Sequence, residues 1–145
     1  MITNGHEVAL PSPIQIGVVV KDIEDTSKFL SLLWGLGPWE TKELVYTKDN
    51  LNVGEPFKIK FAYAELGEIK LELVQPIEGK SIFSKFLMTK GEGLFNINFH
   101  VSNYDEHTSK FKEYQNKMIL EIRKQKRYGY WETKRGGIVI ELAEI

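Results

Sequence analysis

The alternation of apolar and polar side chains predicts a strand near the start of the chain, followed by a helix. From residue 14 to residue 20, apolar side chains occupy every even position, which is the period of two that a strand shows when one face is buried. Between Asp22 and Leu36 the apolar residues recur instead with the period of an amphipathic helix. Asp22 is a typical N-cap, and Gly35 and Gly37 end the helix.

The same order of elements is predicted twice along the chain. A Gly-Glu-Gly linker at residues 91–93 separates the two halves, and a tight turn at residues 67–68 joins two strands of the first half. In the first half, further strands are predicted at about Trp39–Thr47, Phe57–Leu66 and Ile69–Gln75, with a short helix at Ser81–Lys90. In the second half, the pattern predicts a strand at 94–101, a helix at Asn103–Asn116 and strands at about Ile119–Arg123, Arg127–Thr133 and Ile138–Ala143.

An internal repeat accounts for this order. When Gln15 is placed on Asn96, an offset of 81 residues, the first strands of the two halves match. After one inserted residue, 26–29 fall on 108–111 as the identical tetrapeptide Thr-Ser-Lys-Phe, and the last strands match with an offset of 69. The sequence therefore predicts an α+β fold of two tandem βαβββ units. If the units pair about a pseudo-twofold axis, they form an eight-stranded open cup with a helix on the outer face of each sheet.

Length and composition are those of one globular domain. The 145 residues are 42% hydrophobic and 27% charged, and a chain of this length buries roughly 68–70% of its unfolded surface. We therefore expect a single domain over 1–145, with a lead-in at 1–13, a first unit at 14–76, a linker with a short helix at 77–93 and a second unit at 94–145. The chain has no cysteine, which excludes disulfides, thiolate zinc sites and cysteine nucleophiles.

Charge and targeting signals narrow the class of partner. Nineteen Lys and Arg residues against twenty Asp and Glu give a net charge of −1, which argues against binding to nucleic acid or to an anionic membrane surface. No apolar run approaches the roughly 18 residues of a membrane span, and the first residues lack the basic-then-apolar order of a signal peptide. We expect a cytoplasmic protein that binds a small molecule. We also expect a homodimer, because edge strands and apolar surface in so small a duplicated fold need cover.

Four polar side chains are the candidate chemistry. Gln15 and Asn96 lie on the first strand of each unit, opposite the helix-packed face, and Glu72 and Glu141 lie likewise on each last strand. In the predicted cup these two amides and two carboxylates converge on the floor. Two nearby carboxylates repel each other, so one pKa should rise unless a cation or proton intervenes, and a raised pKa is what a general base needs. The alternative is a polar floor that binds water and performs no reaction.

The motifs that carry these residues resemble those of a known superfamily. The stretches IQIGVVVKDIEDTSKF, LGEIKLELVQP followed by SIFSKFLMTKGEGL, and GGIVIEL are together similar to the vicinal oxygen chelate superfamily. This superfamily includes glyoxalase I, bleomycin-resistance proteins, extradiol dioxygenases and methylmalonyl-CoA epimerase, and the sequence resembles the epimerases most closely. The resemblance implies the glyoxalase/bleomycin resistance fold and places the metal-ligand positions of the family on Gln15, Glu72, Asn96 and Glu141.

The implied metal site differs from the epimerase-like pattern in two ligands. That pattern has histidine at the two first-strand positions, where this chain has amides. Imidazole suits cobalt, zinc or nickel, whereas amide oxygens and carboxylates suit Mg²⁺, Mn²⁺ or Ca²⁺. The expected cofactor is therefore a weakly held hard divalent ion, with cobalt less suited, or no metal.

The resemblance implies an epimerase-like isomerase that acts on a small acyl substrate, a CoA thioester. A carboxylate removes the proton between two carbonyls, and the proton returns on the other face. We expect Glu141 as one base and Glu72 or Glu55 as the opposing acid. Two alternatives stay open: a metal-free small-molecule binding protein of the bleomycin-resistance type, and a glyoxalase-type lyase.

Other side chains near the predicted floor have two interpretations each. His100 shares the inward face with Asn96 and Asn98, either as a pocket acid or base or as a structural histidine at the rim. The basic run Arg123–Arg127, with Lys134 and Arg135, could meet the phosphates of a CoA substrate or form a solvated strand face.

Overall fold

The computed structural model describes residues 9–145, and this part of the chain contains nine strands and three α-helices. The first eight residues of the predicted lead-in lie outside the described residues. The strands are β1 (Gln15–Val19), β2 (Glu40–Tyr46), β3 (Leu51–Val53), β4 (Phe57–Leu66), β5 (Ile69–Gly79), β6 (Gly93–Val101), β7 (Lys117–Arg123), β8 (Arg127–Glu132) and β9 (Val139–Glu144). The helices are α1 (Ile23–Trp34), α2 (Ile82–Lys90) and α3 (Tyr104–Glu113).

One mixed sheet contains these nine strands, in the order β2-β4-β5-β1-β6-β9-β8-β7-β3, and curls into a half-barrel. Its centre is the antiparallel pair of β1 and β6, in which Ile16 faces Ile97 and Gln15 faces Asn98. On either side, β1 pairs with β5 and β6 pairs with β9, both in parallel. The pairing register is symmetric about the contact of Ile16 with Ile97, which are 81 residues apart. This symmetry is what the 81-residue offset of the repeat predicts. The prediction of two duplicated units that form an open cup is confirmed.

The ninth strand, β3, is not predicted by the sequence pattern. Its three residues are too few to show a period of two, and a Gly-Glu-Pro turn follows them. β3 leaves the first half of the chain and pairs antiparallel with β7, at the far edge of the second half. The segment between β2 and β4 therefore connects the two units at the rim, and the sheet has nine strands rather than eight.

The helix ends agree with the predicted caps. The Asp22 carboxylate accepts a hydrogen bond from the backbone N–H of Asp25 at 3.1 Å, which satisfies one of the unpaired donors at the start of α1. Gly35 ends α1 in the left-handed conformation, with a φ of 70°. α2 begins after Ser81, whose hydroxyl accepts a hydrogen bond from the backbone N–H of Ser84.

The sheet separates two apolar layers on its convex side from a cup on its concave side. On the convex side, α1 covers an apolar cluster of the first unit and α3 covers one of the second. On the concave side, Phe83 of α2 packs against Phe57, Phe95 and Tyr130, with ring centroids 5.4 to 5.9 Å apart. α2 thus closes one end of the half-barrel, and the other end forms the mouth of the cup.

None of the helices within residues 9–145 is long and apolar enough to span a membrane. The longest, α1, has 12 residues, whereas a span needs roughly 20. The cytoplasmic location stays a prediction from the sequence.

Gly17 on β1 is required by the close approach of its neighbour across the central strand pair. Asn96 faces Gly17, and a Cβ atom added at Gly17 would lie 2.1 Å from Oδ1 of Asn96. Asn96 cannot turn away freely, because it is 1% exposed and donates a hydrogen bond to Glu141.

We predict that Gly17→Ala lowers the free energy of unfolding by about 1–3 kcal/mol, the usual cost of overpacking a core. Gly93→Ala is the matched control, because a Cβ added at Gly93 meets no atom within 4 Å. This control should leave stability unchanged or raise it by about 0.4–1 kcal/mol. Urea denaturation of both variants makes the comparison, and equal stability of the two would contradict the steric argument.

Candidate active site

A cavity of about 360 Å³ opens on the concave face of the sheet, between the two units. Gln15 of β1 and Glu72 of β5 reach it from the first unit, and Asn98 of β6 and Glu141 of β9 reach it from the second. The period of two places these four side chains on the face opposite α1 and α3. The structure therefore brings together Gln15, Glu72 and Glu141, three of the four residues predicted for the floor.

Aliphatic, aromatic and basic side chains form the rest of the cavity. The aromatic rings line its walls and its closed end, and the basic groups lie at the mouth. The aromatic residues are Tyr46, Phe61, Phe83, Tyr128 and Tyr130, and the basic residues are Lys42, Lys124 and His100.

Asn96, the fourth residue predicted for the floor, does not line the cavity. It is 1% exposed, its Nδ2 donates a hydrogen bond to Oε1 of Glu141 at 3.1 Å, and its Oδ1 lies over Gly17. Asn98, two residues further along the same face of β6, takes the place in the cavity. Asn96 therefore holds Glu141 by a hydrogen bond beneath the floor and is not accessible to a ligand.

The residues that lie opposite Gln15 and Asn96 differ. Because β1 and β6 run antiparallel, Gln15 faces Asn98, whereas Asn96 faces Gly17. The repeat places Gln15 and Asn96 at equivalent positions in their units, but equivalent positions are not opposite positions. Alternation along β6 places Asn98 on the inward face from the sequence alone, and the pairing register adds that Asn98 is the residue opposite Gln15.

Glu141 is buried and surrounded by hydrogen-bond donors. The residue is 5% exposed, and this burial raises the pKa of its carboxyl group to about 7. Hydrogen bonds from Asn98, Tyr130 and Asn96 stabilise the ionised form and lower the pKa, but burial outweighs them. Glu141 can therefore lose and regain a proton near neutral pH.

Glu72 has a different environment. Burial and, secondarily, the negative charge of Glu141 raise the pKa of Glu72 to about 8. No side chain within residues 9–145 donates a hydrogen bond to Glu72, whereas Glu141 receives several. The two carboxyl groups titrate as one interacting pair. Because both pKa values are raised towards neutrality, the pair can hold one proton at neutral pH.

The oxygen atoms of the floor do not form the four-ligand metal set that the family resemblance implies. Asn96 lies outside the cavity, and its amide nitrogen, not its oxygen, is directed at Glu141. Hydrogen bonds from Asn98 and Tyr130 also engage the Glu141 carboxylate. In the described part of the chain, no group of three or more His, Cys, Asp or Glu side chains is placed to hold a metal ion. The four residues therefore do not fit the implied ion as one ligand set.

Glu55 lies apart from the two floor carboxyl groups. It is exposed in the loop between β3 and β4, and it lines a different cavity, between this loop and α2. The structure thus pairs Glu141 with Glu72, one of the two partners expected for it.

The basic run at the end of β7 divides into two parts. Arg127 makes two ion pairs with acidic side chains of α3 and β9, at 2.8 and 2.9 Å. Lys124 lines the mouth of the cavity. Lys134 and Arg135 are exposed in the turn between β8 and β9 and do not line it.

His100 is exposed at the mouth of the cavity. Partial desolvation and, after it, the charge of Lys126 lower the pKa of His100, so the imidazole is neutral at neutral pH. This position agrees with the interpretation of His100 as a rim residue.

Lys42, Tyr46 and Tyr128 are cavity residues that the sequence analysis does not single out. Lys42, Leu44 and Tyr46 share one face of β2, and Tyr128 and Tyr130 share one face of β8. The period of two on these wall strands is the signal that could have identified them.

Comparison with known proteins identifies the family. Residues 14–142 match the family model of the Glyoxalase/Bleomycin resistance protein/Dioxygenase superfamily. The chain belongs to this superfamily, and the membership expected from the sequence motifs is confirmed. It is also similar to the uncharacterized protein YqjC of Bacillus subtilis (strain 168), with 27% identity over 134 residues that cover 89% of each chain.

Solved structures share the fold. Hypothetical protein BH1468 from Bacillus halodurans C-125 is 26% identical, with a TM-score of 0.66 over 92% of this chain and 94% of that one. Methylmalonyl-CoA epimerase from Mycobacterium tuberculosis is 19% identical, with a TM-score of 0.70 over 96% and 93%. A variant of methylmalonyl-CoA epimerase from Streptomyces coelicolor, in complex with 2-nitronate-propionyl-CoA, is 20% identical, with a TM-score of 0.71 over 94% and 98%. At these identities, the likeness to the epimerases shows the fold alone.

The raised pKa of Glu72 makes the stability of the fold depend on pH. A glutamate in an unfolded chain ionises near pH 4.3, whereas Glu72 in the folded chain keeps its proton up to about pH 8. Between these values the folded state binds more protons than the unfolded state. The free energy of unfolding therefore falls as the pH rises through this window, by about 1.4 kcal/mol for each unit by which the two pKa values differ.

We predict that Glu72→Gln removes this dependence, so that the variant gains stability relative to the wild type as the pH rises from about 5 to about 8. Urea denaturation across this range measures the difference. Glu78→Gln, at the exposed end of the same strand, is the control and should follow the wild type. Parallel pH profiles for the wild type and Glu72→Gln would contradict the raised pKa.

Proposed function

We propose that the chain is an epimerase-type isomerase, which moves a proton at a carbon next to a carbonyl group of a small acyl substrate. The observation that carries the proposal is the unlike environment of two carboxyl groups, Glu72 and Glu141, that face one cavity. Epimerisation needs a base on one side of the reacting carbon and an acid on the other. Two carboxyl groups whose pKa values differ because their surroundings differ can supply this pair.

In the proposed reaction, ionised Glu141 accepts the proton from the substrate carbon. As the C–H bond breaks, its electron pair moves onto the neighbouring carbonyl group and forms an enolate. Glu72 then donates its proton to the opposite face of the carbon, and the C–H bond forms again with inverted configuration. The carboxyl pair holds one proton before and after the reaction, so the reverse reaction uses the same two groups in exchanged roles.

Gln15 is the side chain that can stabilise the enolate oxygen. It lies on β1, between the strands that carry Glu72 and Asn98. Its side-chain amide has no hydrogen-bond partner among residues 9–145, so its N–H groups are available to a ligand. A donor placed where negative charge develops is a strong contribution to such reactions.

The substrate class that we propose is a CoA thioester of a small acyl group. The methylmalonyl-CoA epimerases that share the fold support it, since the Streptomyces coelicolor protein is bound to a CoA compound. The cavity of about 360 Å³ has room for a short acyl group. The open mouth leaves space outside the cup for the much larger CoA moiety.

A second candidate function is binding of a small molecule without turnover. The aromatic walls favour it, because Tyr46, Phe61 and Tyr128 can stack on a planar or cationic ligand without any base. A glyoxalase-type lyase has less support, since the floor does not form the metal set that this alternative needs.

Exchange of the substrate proton with deuterated water tests the proposed reaction. We predict that the wild-type protein exchanges the α-proton of methylmalonyl-CoA or a related acyl-CoA ester, and that Glu141→Gln lowers the rate by about 10²–10⁴ for the epimer whose proton Glu141 removes. Glu72→Gln should behave differently. It should retain exchange on the face of Glu141 but lose inversion, because the acid on the other face is missing. Proton NMR follows exchange, and chiral analysis of the product follows inversion.

The controls separate the reaction class from the assignment of residues. Glu78→Gln should leave both rates unchanged. Glu55→Gln decides the role of the third predicted carboxyl group, which we expect to be dispensable because it lies outside the cavity. If the wild type shows no exchange with any ester, with or without Mg²⁺, Mn²⁺ or Co²⁺, the isomerase proposal is wrong and the binding protein is favoured. Retained exchange in Glu141→Gln would assign the base to another group.

We also propose that the chain forms a homodimer through the outer face of α1. In the second unit, Phe111 of α3 packs against Trp131, with ring centroids 5.4 Å apart. The equivalent residue of the first unit, Phe29, is 60% exposed. The other exposed apolar side chains of α1 are Leu32, Leu33 and Trp34.

Sedimentation at micromolar concentration should show a dimer, because this apolar face otherwise stays in water. Leu32→Glu should convert it to a folded monomer, since Leu32 is 89% exposed and its side chain contributes little to the core. A monomeric wild type would contradict the proposal.

A further inference from the structure

Two lysines from opposite walls line the mouth of the cup. Lys42 lies on β2, at one edge of the sheet, and Lys124 follows β7, which is next to the other edge. The curl of the half-barrel brings both side chains to the cavity that contains Glu72 and Glu141. The floor of this cavity is therefore acidic and its mouth is basic.

Neither Lys42 nor Lys124 has an anionic partner among residues 9–145. Glu43 adjoins Lys42 in the sequence, but alternation along β2 turns it to the opposite face of the sheet. There it forms an ion pair with Lys58 at 3.3 Å. The two charges at the mouth are thus left to the solvent or to a ligand.

An aromatic ring holds Lys124 in position. Its ammonium group lies over the ring of Tyr46, 4.8 Å from the ring centroid, in a cation–π contact. Tyr46 belongs to β2, the strand that also carries Lys42. The contact therefore connects the two walls and holds Lys124 against the strand that carries Lys42.

Within the described residues, Glu72 and Glu141 are the acidic side chains that line this cavity. Both belong to the floor, where burial raises both pKa values and leaves the pair partly protonated at neutral pH. The two lysines at the mouth face no other negative charge inside the cavity. This distribution of charge would complement an anionic ligand.

We propose that Lys42 and Lys124 form an anion-binding subsite, so that the cup selects ligands with an anionic oxygen group at its mouth. The subsite does not depend on catalysis. The assignment of a substrate rests on the proposed function. In that reaction, the anionic group is a free carboxylate on the acyl group. A phosphate of the CoA moiety has the same chemistry and is the other source of such a group.

The subsite would also orient the substrate. A carboxylate is attracted by the lysines at the mouth and repelled by the negative charge on the floor carboxyl groups. The acyl group therefore enters in one direction, with its reacting carbon towards Glu72 and Glu141. Holding a substrate in one orientation in this way contributes directly to rate.

Titration of ¹⁵N-labelled protein with three probes, followed by NMR, tests the subsite. The probes are malonate, its uncharged analogue malonamide, and coenzyme A. Malonate should bind at least tenfold more tightly than malonamide. Lys42→Gln and Lys124→Gln should each weaken malonate binding about tenfold, as loss of a charge-assisted hydrogen bond does. Lys42→Arg should retain binding, and Lys112→Gln, an exposed lysine on α3, is the matched control.

The three probes distinguish the sources of the anionic group. Malonate binding that depends on both lysines supports a carboxylate ligand. If coenzyme A binds in the same lysine-dependent manner and malonate does not, the subsite stands and its ligand is a phosphate. If neither anion binds the wild type, or if both bind the two Lys→Gln variants as tightly as the wild type, the proposal is wrong. Lysine-dependent binding in a protein that shows no proton exchange would separate the subsite from the proposed reaction.

Discussion

The antiparallel pairing of β1 with β6 determines where each functional side chain lies. This pair joins the two units, and each of its strands carries the last strand of its own unit as a parallel neighbour. The polar positions of four strands are thereby placed on one concave surface. The close approach at Gly17 is part of this arrangement, because it leaves room for Asn96 beneath the floor, where the Asn96 amide supports Glu141.

Burial of the two carboxyl groups is both a cost to the fold and the basis of the proposed chemistry. Desolvation is the largest cause of the raised pKa at Glu72 and at Glu141. A fold selected for stability alone would have little reason to retain such a pair. The hydrogen-bond donors around Glu141, and their absence around Glu72 within the described residues, make the two groups unlike. This difference allows one of them to be an acid while the other is a base.

The fold could be predicted from the sequence because its signals are periodic and repeated. The 81-residue offset and the alternation along the strands are properties of long segments, whereas β3 is too short to show any period. The site was predicted in part. Glu72 and Glu141 can be identified because they interrupt apolar strands. Alternation along β6 places both Asn96 and Asn98 on the inward face, but repeat equivalence selects Asn96, because it does not show which residue of β6 lies opposite Gln15. Lys42 and Lys124 enter the cavity through the curl of the sheet, and no local sequence pattern encodes that curl.

The central claim is that Glu72 and Glu141 share a proton in the neutral pH range, and direct titration of their carboxyl groups tests it. Carbon-13 NMR of glutamate-labelled protein, with Glu72→Gln and Glu141→Gln used to assign the two signals, follows the ionisation of each group. We predict that both signals titrate well above the ordinary glutamate range, with midpoints near the values of about 8 and about 7 that burial produces. Two signals that titrate near pH 4.3, as exposed glutamates do, would contradict the account.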